Sequence, residues 1–177
     1  LLSHDELAAL LDDLGYECDE GFFERNLQYY EQRTAHGSTL SGMVHAWLHS
    51  RLDPHHSWSM FREALASDIN DVQGGTTAEG IHLGAMAGTV DLVQRCYGGV
   101  EICGDKLRLD PRLPGELDEL RFSIIYRRQH IDLVISHERI TARLSEDATR
   151  GEAVEIEIGG ETRCLAPGDT FEVHLAG

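Results

Sequence analysis

The chain has 177 residues, 41% of them hydrophobic, enough for one ordinary packed domain or two small ones. Its 15 Lys and Arg against 31 Asp and Glu give a formal charge of −16, and no basic patch offsets it, so nucleic acid and anionic membrane are excluded as partners. No apolar run approaches the roughly 18 residues of a membrane span, and no signal-peptide pattern opens the chain, which makes the cytoplasm the expected compartment.

In chain order, the first hundred residues carry the helical period. SHDELAALLDDLG offers Ser3 and Glu6 as a capping box, Leu7, Leu10, Leu11 and Leu14 on one face, and Gly15 as the stop. A second helix is expected from about Asp19 to Glu31 with Phe23, Leu27 and Tyr30 inward. A third follows Ser38, where Leu40, Met43, Val44, Trp47 and Leu48 form an apolar stripe. The fourth opens on Asp53 as N-cap and Pro54 at the first helical position, and is expected to bury Trp58, Phe61 and Leu65. The fifth opens in GGTTAEGIHLGAMAG, with Thr76 and Glu79 spaced as a capping box. It places His82 within the first turns, uses Gly84, Ala85, Ala87 and Gly88 for close packing, and runs to Gly98-Gly99.

After Gly99 the pattern changes to VEIC, KLRLD, RFSIIYR, HIDLVISH, RITARL, AVEIEI, TRCL and TFEVHL. These are strand candidates separated by Gly104-Asp105, Gly159-Gly160 and Pro167-Gly168-Asp169 turns. Helices followed by strands predict an α+β protein with segregated parts, a helical domain over 1–99 and a small antiparallel sandwich or barrel over 100–177.

Several constellations could carry chemistry. In RTAHGSTLS, Thr34, His36, Ser38 and Thr39 crowd donors beside a helix start, which suits an anion; Ser38 as a plain N-cap explains the same residues. In the Gly74-Gly75 stretch, Thr76, Thr77 and His82 could hold a phosphate without lysine, although neither a Walker loop nor a dinucleotide fingerprint is present. Glu79 is the one acid beside other candidate groups. His45, His49, His55 and His56 raise a metal site, but no third ligand set is advertised, and His45 and His49 are expected on a solvated or interhelical face, so no metal is predicted. Cys18, Cys96, Cys103 and Cys164 lack CxxC spacing and are expected to behave as buried small hydrophobes.

Two motifs, YYEQRTAHGSTLS and DVQGGTTAEGIHLGAMAGTVDLVQRCYGG, resemble the glycoside hydrolase family that contains maltose, trehalose and kojibiose phosphorylases. LRLDPRLPGELDELRFSIIYRRQHIDLVISHERITARL is similar to that family's C-terminal β-sandwich. The resemblance implies the second half of an (α/α)6 catalytic barrel followed by the sandwich. It also implies inverting phosphorolysis of an α-glucosidic disaccharide, in which phosphate replaces the activated water of an inverting hydrolase. It puts Ser38, Thr39 and His82 around the phosphate, with Thr34, His36 and Thr77 as pocket neighbours; inorganic phosphate is a co-substrate and no other cofactor is implied.

The resemblance carries two departures. The family often has a Ser-Ser pair where Ser38-Thr39 stands. Its general-acid Glu and sugar-binding Lys-Gln pair belong to segments upstream of Leu1. With no initiator Met, the chain is expected to be a piece of a longer protein, inactive alone, whose first helix needs the missing N-terminal half of the barrel or self-association. Two alternatives stay open: an inverting hydrolase of the same family using water, with Glu79 as base, and a non-catalytic carbohydrate-binding or assembly module.

Overall fold

The computed structural model describes residues 2–19, 21–35, 37–71, 74–75, 78, 80–146 and 152–175. The chain divides after Gly37 into two bodies. The first holds α1 (His4–Asp13) and α2 (Phe22–Glu31). The capping box forms as its spacing predicts: the Glu6 N–H donates to Ser3 Oγ at 3.1 Å and the Ser3 N–H to the Glu6 carboxylate at 2.6 Å. Gly15, at φ +81, ends the helix by a Schellman pattern, its N–H on Asp12 O and that of Tyr16 on Leu11 O.

The core of this body is thin. No residue of α1 is buried, and Leu27 is the buried residue of α2. His4 stacks on Phe23 with centroids 4.3 Å apart. Tyr30, expected inward, is 63% exposed, because two short helices offer too little surface to cover a second aromatic stripe.

The second body begins at Ser38 with α3 (Thr39–His49), α4 (Pro54–Asn70) and α5 (Leu83–Leu92), the last continuing into a π-helical turn over Val93–Tyr97. Asp53 caps α4 by accepting the His56 N–H at 2.9 Å, with Pro54 at the first helical position. α3 and α4 form an antiparallel hairpin: Ser57 reaches Ala46, the rings of His49 and His56 meet edge to face at 4.7 Å, and Gly42 lies beside Ala64.

α5 runs parallel to α3. A Cβ on Gly84 would sit 4.0 Å from Leu40 Cδ1, and one on Gly88 would sit 2.4 Å from Met43 Cε. Ala85 and Gly88 are buried in this seam, whereas Ala87 is exposed and takes no part in it.

Met43, Ala46, Trp47, Phe61, Ala64, Leu92, Cys96 and Tyr97 close the helical core. On α4 the inward face is Ser57, Phe61, Ala64 and Ser67, so Leu65, expected inside, is 48% exposed. The close approach at Gly42 selects the small Ala64 for the inner position. His45 is only 5% exposed, which puts it between helices and not in solvent.

All eight strand candidates form strands: β1 (Val100–Cys103), β2 (Lys106–Leu109), β3 (Glu119–Tyr126), β4 (Gln129–Ser136), β5 (Arg139–Leu144), β6 (Val154–Ile158), β7 (Glu161–Leu165) and β8 (Thr170–His174). They make two sheets, ordered β1-β2-β6-β7 and β3-β4-β5-β8, whose buried residues share one apolar core. Alternate residues Ile131, Leu133 and Ile135 on β4, and Val154, Ile156 and Ile158 on β6, are fully covered, as period-two patterning requires.

The sheets depart from an all-antiparallel arrangement at β2 and β6, which pair in parallel. The chain leaves β2 for the other sheet and returns after β5, so β6 enters running the same way. Leu120 on β3 packs against both the helical and the strand core. The cysteine expectation holds for Cys96; Cys18 and Cys103 are half-buried, and Cys164 is exposed, since it lies on the outward side of the terminal strand β7.

Candidate functional site

The antiparallel α3/α4 pair and the parallel α3/α5 pair have a geometric consequence. The first turn of α3, the last turn of α4 and the first turn of α5 all lie at one end of the helical layer. Two helix N-termini therefore point the same way, each with the positive end of its dipole.

At the first N-terminus, Ser38 is extended (φ −129, ψ 139) and its Oγ accepts the Leu40 N–H at 3.3 Å. The capping role read from the sequence is thus real. Thr39 follows as the first helical residue.

At the second N-terminus the helix starts later than its sequence suggests. α5 begins at Leu83, and His82 is its N-cap instead of a residue inside it. The reason is Gly80, whose φ of +118 is incompatible with helix. Thr76 and Glu79, the proposed capping box, lie outside the described residues, as do His36 and Thr77. Thr34 belongs to the first body, where its hydroxyl donates to the Tyr30 carbonyl at 2.8 Å and ties off the end of α2.

His82 has a partner that no motif in the sequence marks. Asp68, in the last turn of α4, accepts the His82 backbone N–H on Oδ2 at 3.0 Å, and its Oδ1 lies 2.5 Å from His82 Nδ1. Both side chains are largely covered, Asp68 at 13% and His82 at 26% exposure. The hydrogen bond from the His82 ring holds the Asp68 carboxyl below its ordinary range, against an opposing push from desolvation. No local signal could have paired residues 14 apart across a loop; the packing of α5 beside α4 brings them together.

Ser38, Thr39, Asp68 and His82 therefore share one end of three packed helices. An imidazole, two hydroxyls and two helix N-termini suit an oxyanion held by hydrogen bonds, while the Asp68 carboxylate, which only accepts, is occupied by His82. No helix among the described residues is long and apolar enough to cross a membrane.

Comparison with known proteins gives a consistent set of relatives. The model of the glycosyl hydrolase family 65 central catalytic domain matches residues 5–91, and that of the family 65 C-terminal domain matches residues 100–163. An uncharacterized glycosyl hydrolase of Mycobacterium tuberculosis is 46% identical over 173 residues, covering 98% of this chain and 13% of the relative. A trehalose 6-phosphate phosphorylase of Lactococcus lactis is 31% identical over 166 residues, covering 92% of this chain and 22% of the relative. A solved structure assigned as a kojibiose phosphorylase from the human microbiome superposes with a TM-score of 0.73 at 21% identity, over 96% of this chain and 22% of that one. That structure shares the fold. The chain thus spans less than a quarter of the length of these relatives.

Proposed function

The chain belongs to glycosyl hydrolase family 65, and on that premise we propose that it is the C-terminal part of a cytoplasmic enzyme that cleaves an α-glucosidic disaccharide by inverting phosphorolysis. A phosphate oxygen attacks the anomeric carbon as the glycosidic C–O bond breaks on the opposite face. A general-acid Glu outside this chain protonates the leaving oxygen, and the product is a sugar 1-phosphate of inverted configuration. Inorganic phosphate is the co-substrate and no other cofactor takes part.

The observation that carries the reading is the convergence of Ser38, Thr39 and His82 at one end of three helices, where two N-termini favour an anionic nucleophile. That several relatives are named phosphorylases supports it.

The helices are proposed as the second half of an (α/α)6 barrel over 1–99, and the strands as a β-sandwich over 100–177. The exposed apolar residues Leu65 and Ile69 on α4, and Leu83 and Val90 on α5, fit a face that further helices of the longer enzyme cover.

The test is disaccharide cleavage by the full-length protein with and without inorganic phosphate. Turnover that requires phosphate and releases a sugar 1-phosphate supports the reading; equal cleavage without phosphate gives hydrolysis instead. The 177-residue chain alone is expected to be inactive, and robust phosphorolysis by it would sink the barrel-half assignment.

A further inference from the structure

We propose that Asp68 is the positioning residue for His82, gripping it at two points so that Nε2 is the ring nitrogen presented to phosphate. The inference rests on the phosphate-site reading above and adds to it a residue from a different helix.

The placement of Asp68 is unfavourable by itself. It sits in the last turn of α4 (Pro54–Asn70), where the helix dipole is negative and an acid is disfavoured. What offsets this is His82, which donates its backbone N–H to one carboxylate oxygen and turns Nδ1 to the other. A single contact would leave the imidazole free to rotate about its side-chain bonds. Two contacts to one carboxylate fix the start of α5 and the ring together.

The grip also decides the tautomer. An ionised carboxylate has no proton to give, so the proton of the short Nδ1 contact belongs to the ring. Nε2 is then the nitrogen that Asp68 does not engage. Protonated, it donates to a phosphate oxygen; neutral, it accepts a P–OH proton. Either state suits one of the two phosphate ions that coexist near neutral pH, and no proton has to leave the His82–Asp68 pair for binding.

Two measurements test this independently. In the 15N-histidine-labelled 177-residue chain, long-range 1H–15N spectra report which ring nitrogen carries the proton, and His82→Gln identifies the His82 signal. The expected signal is Nδ1-protonated in the native chain, shifted toward Nε2 protonation in Asp68→Ala, and restored in large part by the near-isosteric Asp68→Asn, which keeps an acceptor oxygen. In the full-length protein, Asp68→Ala is expected to raise KM for inorganic phosphate about tenfold while KM for the disaccharide stays put.

A His82 signal unmoved by Asp68→Ala overturns the positioning role, and thermal melts show that the variants are folded. If His82→Gln leaves KM for phosphate unchanged, the phosphate reading of His82 falls and the proposal with it. If His82→Gln raises that KM and Asp68→Ala does not, the phosphate reading stands and the positioning role falls.

Discussion

Ser57 on α4 and Tyr97 at the end of the π-helical turn share a buried hydrogen bond, their hydroxyl oxygens 3.1 Å apart. Ser57 gives its one proton to the Ala46 carbonyl at 2.7 Å, so Tyr97 is the donor to Ser57. The same burial pushes the Tyr97 phenol upward, away from ionisation. Because Trp58 and Phe61 pack on the Tyr97 ring, this hydroxyl pair ties α3, α4 and the end of α5 at the centre of the helical core.

Removing the two hydroxyls should have unequal effects. Ser57→Ala leaves the buried Tyr97 O–H without its acceptor and is expected to cost about 1–3 kcal/mol, less a few tenths for the better helix former. Tyr97→Phe leaves Ser57 still bonded to Ala46 and is expected to cost about 1 kcal/mol. Urea unfolding of both variants reads the difference, and the reverse order would reject the donor assignment.

Gly99 joins the helical layer to the sheets. Its φ is +64, and a Cβ there would lie 2.1 Å from the Asp110 carbonyl carbon and 2.3 Å from Pro111 N, all backbone atoms that cannot turn aside. Gly104 has a similar φ of +60 with nothing within 4 Å. Gly104→Ala should therefore cost only the left-handed strain of about 1–2 kcal/mol. Gly99→Ala should cost clearly more than that, or prevent folding, and equal stability of the two variants would show that the junction is loose.

Thiol chemistry separates two cysteines. Burial pushes the Cys96 thiol up to about 11, so near pH 8 little thiolate forms and the sulfur is covered as well. Cys164 is exposed on β7. Alkylation of the native chain at pH 8 followed by peptide mass spectrometry should label Cys164 quickly and Cys96 only after unfolding. Rapid native labelling of Cys96 would contradict the packing around it.

The Asp68–His82 pair has a pH signature of determinate sign. The Asp68 carboxyl is held below its ordinary value of 3.8, first by the hydrogen bond from the His82 ring. A depressed carboxylate stabilises the fold at pH above its unfolded value, and the contribution is lost as pH falls through the folded value. The Tm gap between the native chain and Asp68→Asn should therefore have a pH-dependent part that is present at neutral pH and vanishes in strong acid. A gap that grows as the pH drops below 3.8 would exclude this coupling.

Much of the molecule was legible in the sequence because the signals are local. Ser3 and Glu6 close their capping box, Gly15 ends α1, Asp53 and Pro54 start α4, and every strand candidate forms a strand, since capping, turn chemistry and alternation act over a few residues. The two motifs that hold Ser38, Thr39 and His82 also sufficed to indicate the family. Inward faces were less legible. Leu65 and Tyr30 match the helical period as well as Ala64 and Leu27 do, and only the neighbour each helix meets selects among them.

What tertiary structure alone decided is the company each side chain keeps. The parallel β2–β6 pair depends on a chain path that leaves one sheet and returns. His82 as an N-cap, where the sequence put it inside the helix, depends on the left-handed backbone at Gly80, and its contact with Asp68 on α3 packing against both α4 and α5. Composition and period fix which elements form, because those energies are local. The meeting of an acid on one helix with a histidine on another is a matter of crossing geometry, which no spacing along the chain encodes.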